Sequence, residues 1–341
     1  MEKQSNNSQQ SKEITIIGCG IAGLSTAFYL RELGFKITII DPKINSLTKQ
    51  LDPLNGTEAS LGILMGNIFS RSKGRSWELR KRSLELWPKW TEAISKITNN
   101  VNIQSPLIKL AASKIEHSRL IELYKNKKHL GLSLLNKEAI HFWSDTFEKR
   151  LFGGIVSLKD GRINPTSLIE GILNVLDKYG ITKINDSVIS IEKGRSAKNK
   201  RWIINLKNQT HLKQDSLIIC SALSSQILLK PLGYSIDLES ILGQVINLEL
   251  QTENSNLLEW PAVVNYQGIN FIHHKTNEIL MGATVEKSKT PSSEIRENMH
   301  NMNDSAPNWI KTAIIKSQWH GLRARPVNQA SPILANLEPG L

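Results

Sequence analysis

The residues from Ile14 to Asp41 constrain what this chain can fold into more than any other stretch. Ile14, Ile16 and Ile17 form a short apolar run ending at Gly18, and Gly18, Gly20 and Gly23 follow at the spacing G-x-G-x-x-G. In that spacing the first glycine permits a tight turn, the second lets a pyrophosphate approach the main chain, and the third lets helix and strand pack closely. Ile21, Leu24, Ala27, Phe28 and Leu30 then recur at three- and four-residue steps, which predicts an amphipathic helix with Arg31 and Glu32 turned outward and Gly34 as its stop. Amides at the start of that helix would face phosphates. Lys36 to Ile40 reads as the next strand, and Asp41 stands at its carboxyl end, where a carboxylate accepts hydrogen bonds from ribose hydroxyls and repels a 2′-phosphate. The whole unit predicts a bound ADP-containing dinucleotide. The competing reading is a Rossmann-like unit whose glycines serve packing alone.

At 341 residues the chain is long enough for two intertwined domains or one large one. Its formal net charge of +12 raises the question of nucleic acid. The basic residues are spread along the chain, however, with no aromatic-interleaved motif or zinc spacing to focus them, so no nucleic-acid partner and no metal site is expected. A positive field that draws in a phosphate-bearing cofactor and an anionic substrate is the expected use of the excess. Cys19 and Cys220 are the only cysteines, both at the ends of expected parallel strands, so no disulfide framework is predicted and a reducing, cytoplasmic compartment fits. Residues 1–12 are rich in Gln, Asn and Ser and read as a disordered lead rather than a secretory signal. No run approaches the roughly twenty apolar residues needed to span a bilayer, so a soluble chain is expected.

Further along, Gly56 to Gly66 reads GTEASLGILMG, where small residues beside apolar ones allow a main chain to run close against a flat ring; the bland reading is a loop entering the core. Trp77, Trp87 and Trp90 fall in or beside an expected helix bent at Pro88, as core or interface anchors. Residues 101–150 alternate short apolar runs with charged turns and show no catalytic grouping. Asn164 and Pro165 open a second clear helix that runs to Gly180. Val188 to Ile191 and Trp202 to Leu206 read as a hairpin, and Leu217 to Cys220 as a buried strand ending at Ser221, which should share a crevice with Cys19. From Gly243 strands follow without intervening helices, the pattern of an antiparallel sheet in another domain, and a polar helix follows at about Ser292 to Met302. His273 and His274 are adjacent on a predicted strand, point to opposite faces and cannot chelate one metal together.

The fingerprint, the loop EASLGILMG, the segment GRINPTSLIEGI, the strand LIICSA, the pair Gly243-Gln244, the pattern ILMGATVE and the late HGLRARP together resemble the FAD-dependent D-amino-acid oxidase family. Within it the chain is most similar to the glycine oxidase branch that serves thiamine biosynthesis, from about Glu13 to the last residue. The resemblance implies an α/β fold: a Rossmann-like FAD-binding domain with an interleaved α+β substrate domain built on an antiparallel sheet. Residues 13–78, 151–232 and 317–341 would form the FAD-binding domain, and 79–150 and 233–316 the substrate domain. By the same resemblance Gly18, Gly20, Ala22 and Gly23 would hold the pyrophosphate and Asp41 the adenosine ribose. Ser60, Leu61, Gly62 and Leu64 would edge the isoalloxazine, Val188 would contact the adenine end, and Gln244 would lie beside the flavin. Arg323 would bind the substrate carboxylate, a role its planar, permanently charged fork suits, with Arg325 as the alternative.

The activity implied is oxidative deamination of glycine or another small amino acid, with hydride transfer to flavin N5 and molecular oxygen as acceptor. The alternatives are a dehydrogenase that passes electrons to a quinone or carrier, and a non-catalytic flavin-binding protein. Whether copies of the chain associate into a homo-oligomer is left open. Two departures stand out: Phe271 aligns where the family commonly places a substrate-facing tyrosine, and GLRARPV replaces the commoner Gly-Leu-Arg-Pro. A third is that family members continue beyond the point matching Pro339-Gly340-Leu341 into a helix facing the flavin's pyrimidine edge. A fragment, an early-terminated product and a branch that closes the site otherwise are the three readings of that difference.

Overall fold

The computed structural model describes residues 13–46, 54–98, 101–194, 201–251, 260–327, 329 and 332–341. The expected lead at 1–12 and the hairpin turn at 195–200 lie outside them. The chain packs as two compact units, the first holding the described residues of 1–51, 169–238 and 333–341 and the second those of 52–168 and 239–332. These units are defined by packing, whereas the expected division follows the cofactor and substrate each segment would serve.

The first unit is built on a four-stranded sheet ordered Leu217–Ile219, Glu13–Ile17, Lys36–Ile40, Thr182–Ile184, with every pairing parallel. Thr15 and Ile16, neighbours that point to opposite faces, are both wholly enclosed, the burial on both faces that a parallel sheet demands. The chain winds outward from Glu13–Ile17 and then returns to its other side through Leu217–Ile219, so the strand order reverses beside the first strand, where ligands bind in such sheets. The first helix, Ile21–Glu32, lies between the first two strands in sequence, and Gly34 ends it at φ +86° with its N–H on the Arg31 carbonyl at 2.9 Å. Val188–Lys193, Trp202–Leu206 and His211–Gln214 form a separate antiparallel sheet around the buried Trp202. The last residues dock in this unit too: the Leu217 amide donates to Gly340 O at 2.8 Å, and Glu338 accepts from Tyr234 Oη at 2.6 Å and pairs with Lys193 at 3.0 Å.

The second unit carries an eight-stranded sheet ordered Ile314–Pro326, Leu238–Glu249, Glu278–Gly282, Ile269–Lys275, Val263–Tyr266, Leu107–Ala111, Gly153–Ser157, Leu132–Leu134. The expected antiparallel sheet is in fact mixed: Val263–Tyr266 runs parallel to Leu107–Ala111. Those two strands come from segments far apart in sequence, so no hairpin turn forces them to oppose each other. One face packs an aromatic core in which Phe147 lies 4.5 Å from Tyr266 and 5.4 Å from Phe271, ring centre to ring centre. The other face carries Val245, Ile272 and Leu280 with Leu61 and Ile63. The helix Arg75–Ser95 runs through Pro88, and Pro165–Lys178 starts as expected, with Asn164 Oδ1 accepting the Ser167 amide at 3.2 Å. Within 101–150 two helices appear that the hydrophobic pattern did not announce, Lys114–Lys127 and Lys137–Thr146.

Candidate functional site

In the first unit the glycine turn is held by its own backbone. Gly18 adopts φ +103°, and a Cβ there would come within 2.6 Å of the Cys220 carbonyl oxygen; a Cβ on Gly23 would collide with the Gly18 carbonyl. Turn and helix can therefore close onto the strands only with hydrogen at these two positions. Gly20 is the N-cap of the helix, which begins with no side-chain cap and no acidic residue in its first turn, and Ala22 is exposed beside it. Asp41 fastens the turn: Oδ2 accepts the Cys19 amide at 2.8 Å and Oδ1 accepts the Lys43 amide at 2.8 Å. Each carboxylate oxygen keeps a second acceptor position, enough for ribose hydroxyls. The Cβ-free turn, uncapped helix start and acid at the strand end fit an adenine dinucleotide.

Cys19 and Ser221 do share this crevice, since the Cys220 amide donates to Ile17 O at 2.7 Å and the Gly18 turn abuts Ser221. Both cysteines are free. Burial pushes the Cys19 thiol far up, helped by the Asp41 charge, and pushes Cys220 up to about 11. Val188 is half-buried against the core formed by Trp202 and Ile204.

In the second unit the segment around Gly62 is equally constrained. Gly62 has φ +67°, its carbonyl accepts the Ile163 amide at 3.0 Å, and a Cβ on it would collide with the Ile163 carbonyl. Leu61 is buried and Ser60 is exposed, with the Ser60 hydroxyl accepting the Gly62 amide at 3.3 Å. Ile63–Leu64 pairs antiparallel with Gly161–Arg162. The loop that follows is gripped from both ends of its peptide dipoles. Asp160, wholly buried, accepts the amides of Gly66 and Asn67 at 3.0 Å each and of Ile68 at 2.7 Å. Lys127 Nζ donates to the carbonyls of Phe69 at 2.6 Å and Arg71 at 2.9 Å and lies 4.0 Å from the Trp77 ring centre. Arg80 donates to Met65 O at 2.9 Å and covers the Phe69 ring.

A cavity of about 710 Å³ in this unit is lined by Ile63, Leu64, Arg80, Val285, Arg323 and Arg325 among others. Arg323 lies over Gly243, where a Cβ would collide with its guanidinium, and Nη1 donates to Thr284 O at 3.3 Å. Desolvation lowers its pKa. Arg325, two residues on and therefore on the same strand face, has Nε 3.8 Å from Glu239. Gln244 is buried with its amide nitrogen committed to Glu286 Oε1 at 2.9 Å and Ser292 O at 2.7 Å. Burial opposes the Glu286 charge, yet hydrogen bonds from Thr284, Gln244 and the Ser292 amide, with the field of His320, hold its carboxyl below the usual range.

Phe271, which aligns with the family's tyrosine, packs away from Arg323. Phe271 is fully buried in the aromatic core, while Ile272 occupies the opposite face with Val245, two residues from Gly243 and its overlying arginine. Strand alternation puts Asn270 and Ile272, not Phe271, on the Arg323 side. Asp160, Lys127 and Arg162 were given no role from the sequence; the turn LKDGR, which runs into the segment GRINPTSLIEGI, marks where two of them stand.

A family model described as "DAO: FAD dependent oxidoreductase" matches residues 13–341. The uncharacterized oxidoreductase YurR of Bacillus subtilis is 22% identical over 289 residues, covering 81% of this chain and 72% of that protein. Glycine oxidase from Geobacillus kaustophilus superposes with a TM-score of 0.78 at 17% identity, over 96% of this chain and 87% of the other. L-proline dehydrogenase from P. horikoshii gives a TM-score of 0.75 at 17% identity, over 97% and 86%. At these identities the two solved structures speak for the fold.

Proposed function

Because the chain belongs to the DAO family of FAD dependent oxidoreductases, we propose that it oxidatively deaminates glycine or another small amino acid, with oxygen as the electron acceptor. Its cofactor is FAD and its activity that of an FAD-dependent oxidoreductase, to which this reading gives amino acids or amines as substrates. The proposal also carries the expected division into an FAD-binding and a substrate domain, and a cytoplasmic location. No helix among the described residues is long and apolar enough to cross a membrane.

FAD, when bound, supplies a ring whose N5 accepts the hydride from the substrate α-carbon. Gly18, Gly20, Ala22, Gly23 and Asp41 would hold its pyrophosphate and adenosine ribose, and Val188 its adenine end. Ser60, Leu61, Gly62 and Leu64 would edge the ring, and Gln244, anchored through Glu286, would lie beside it. Arg323 would bind the substrate carboxylate and so fix the α-hydrogen for transfer by orientation rather than by a strong base. The observation that carries the choice of arginine is its bonding: among the described residues a single long bond to Thr284 O leaves most of the Arg323 fork available, while Arg325 faces Glu239.

Purified FAD-loaded protein should bleach without oxygen on adding glycine or sarcosine, and no bleaching with any amino acid would reject the activity. Arg323→Leu should raise KM for carboxylate substrates at least a hundredfold with FAD retained, since a charge-assisted bidentate contact is worth about 3 kcal/mol or more. An equal loss from Arg325→Leu alone would transfer the role. Peroxide yield against turnover with an artificial acceptor separates an oxidase from a dehydrogenase.

A further inference from the structure

Arg162 is only 4% exposed, yet no hydrogen bond or ion pair reaches its guanidinium among the described residues, and its Nε is enclosed and unpaired. Its neighbours in the same unit are treated differently: Lys127 meets three backbone carbonyls and an aromatic ring, and Arg80 meets a carbonyl and a ring. Desolvation alone acts on Arg162, pulling its pKa down to about 10. A buried charge with no counter-group is costly, and such a group calls for an anion.

The topology says which way it faces. Arg162 stands directly opposite Ile63 in the two-stranded ladder, so their side chains leave the same face. Ile63 packs with Leu61, Val245, Ile272 and Leu280, on the face of the large sheet that also carries Gly243 beneath Arg323. The charge of Arg162 is felt by His274, two residues beyond Ile272 on the same strand. Two arginines thus serve one face, and neither has a carboxylate partner among the described residues.

We propose that Arg162 is a second carboxylate-binding residue of the substrate site, so that the preferred substrate is a dicarboxylic amino acid, with Arg323 holding the α-carboxylate. This deepens the amino-acid oxidation proposed above and rests on it. Glycine would then occupy only part of the site.

The test titrates FAD-loaded wild type, Arg162→Met and Arg162→Lys with acetate, malonate and succinate, read from the absorbance of the oxidised flavin, and melts each protein without ligand. Wild type should bind malonate or succinate at least tenfold more tightly than acetate. Arg162→Met should erase that preference and leave acetate binding unchanged, and Arg162→Lys should keep part of it. Without ligand, Arg162→Met should melt no lower than wild type, because it removes an unpaired buried charge. A preference that survives in Arg162→Met, or a wild type that binds all three equally, overturns the proposal. So does a melting temperature lowered by several degrees, which would mark a structural role, or a lowered flavin potential with unchanged dicarboxylate preference, which would assign Arg162 to the ring. Failure of the underlying activity looks different: then no amino acid bleaches wild-type flavin, and this inference falls with it.

Discussion

Replacing Asp160 by Asn tests whether the loop after Leu64 is held by one carboxylate. Oδ1 accepts two amides at 3.0 Å and Oδ2 a third at 2.7 Å, all from consecutive residues, Gly66, Asn67 and Ile68. An Asn carbonyl can keep the pair on Oδ1, but its NH₂ then faces the Ile68 amide, donor against donor. One charge-assisted bond is lost with a buried donor left over, and two others become neutral; at about 1.5–3 kcal/mol for the first and about 0.5–1 for each of the others, the cost is about 2.5–5 kcal/mol. A cooperative unit of this size moves by about 2–4 °C per kcal/mol, so a drop of roughly 5–20 °C is expected in the transition that carries this unit. Asp160→Ala, which leaves all three amides unpaired, should fall further. Tryptophan fluorescence during heating reads the midpoint, and trypsin cleavage at the exposed Arg71, Lys73 and Arg75 should accelerate in both variants. A shift under about 1 °C in both, with unchanged cleavage, would refute the claim that Asp160 fixes this loop.

Three further outcomes are expected. Gly23→Ala, whose Cβ would meet the Gly18 carbonyl, should reduce flavin recovered with the protein after gel filtration at least tenfold; full retention would show that the turn has slack. With the Cys220 thiol pushed up to about 11 and Cys19 higher still, neither should react with a disulfide reagent within minutes at pH 8 in native protein, and both should react at once in denaturant. Glu278, held at about 2 by hydrogen bonds from Asn247 and Lys316, contributes stability that is complete above the ordinary carboxylate value and is lost as pH falls through about 2. Glu278→Gln should therefore flatten the acid limb of the melting curve between about pH 5 and 2, and an unchanged limb would contradict that bonding.

What the sequence reveals about the fold follows the range of the interactions. The unit from Glu13 to Asp41 is local, each of its residues announcing its own conformation, and its glycines stand where the turn requires them. The helix Pro165–Lys178 was likewise written in its cap. Lys114–Lys127 was missed because Ile115 is exposed and only Leu120 and Lys127 are buried, so no apolar stripe marks it; the signal was Ser113-x-x-Glu116, whose Ser113 hydroxyl accepts the Glu116 amide at 3.2 Å. The face that Phe271 takes was not legible, because strand side chains alternate and one residue of register exchanges the two sides. That Arg162 finds no partner among the described residues could not be read at all. It depends on which segments the topology brings near, and no local pattern records it.

The parallel pairing of Leu107–Ala111 with Val263–Tyr266 also sets an order of assembly during translation. The earlier strand leaves the ribosome with its partner not yet made, and Ala59, whose carbonyl takes the Trp319 indole N–H, lies 260 residues upstream of that donor. For most of synthesis this sheet therefore has an unfilled edge, and long-range closure of this kind is slow and prone to association. A nascent chain stalled before residue 263 should depend on a holding chaperone, whereas one released after Pro326 should not.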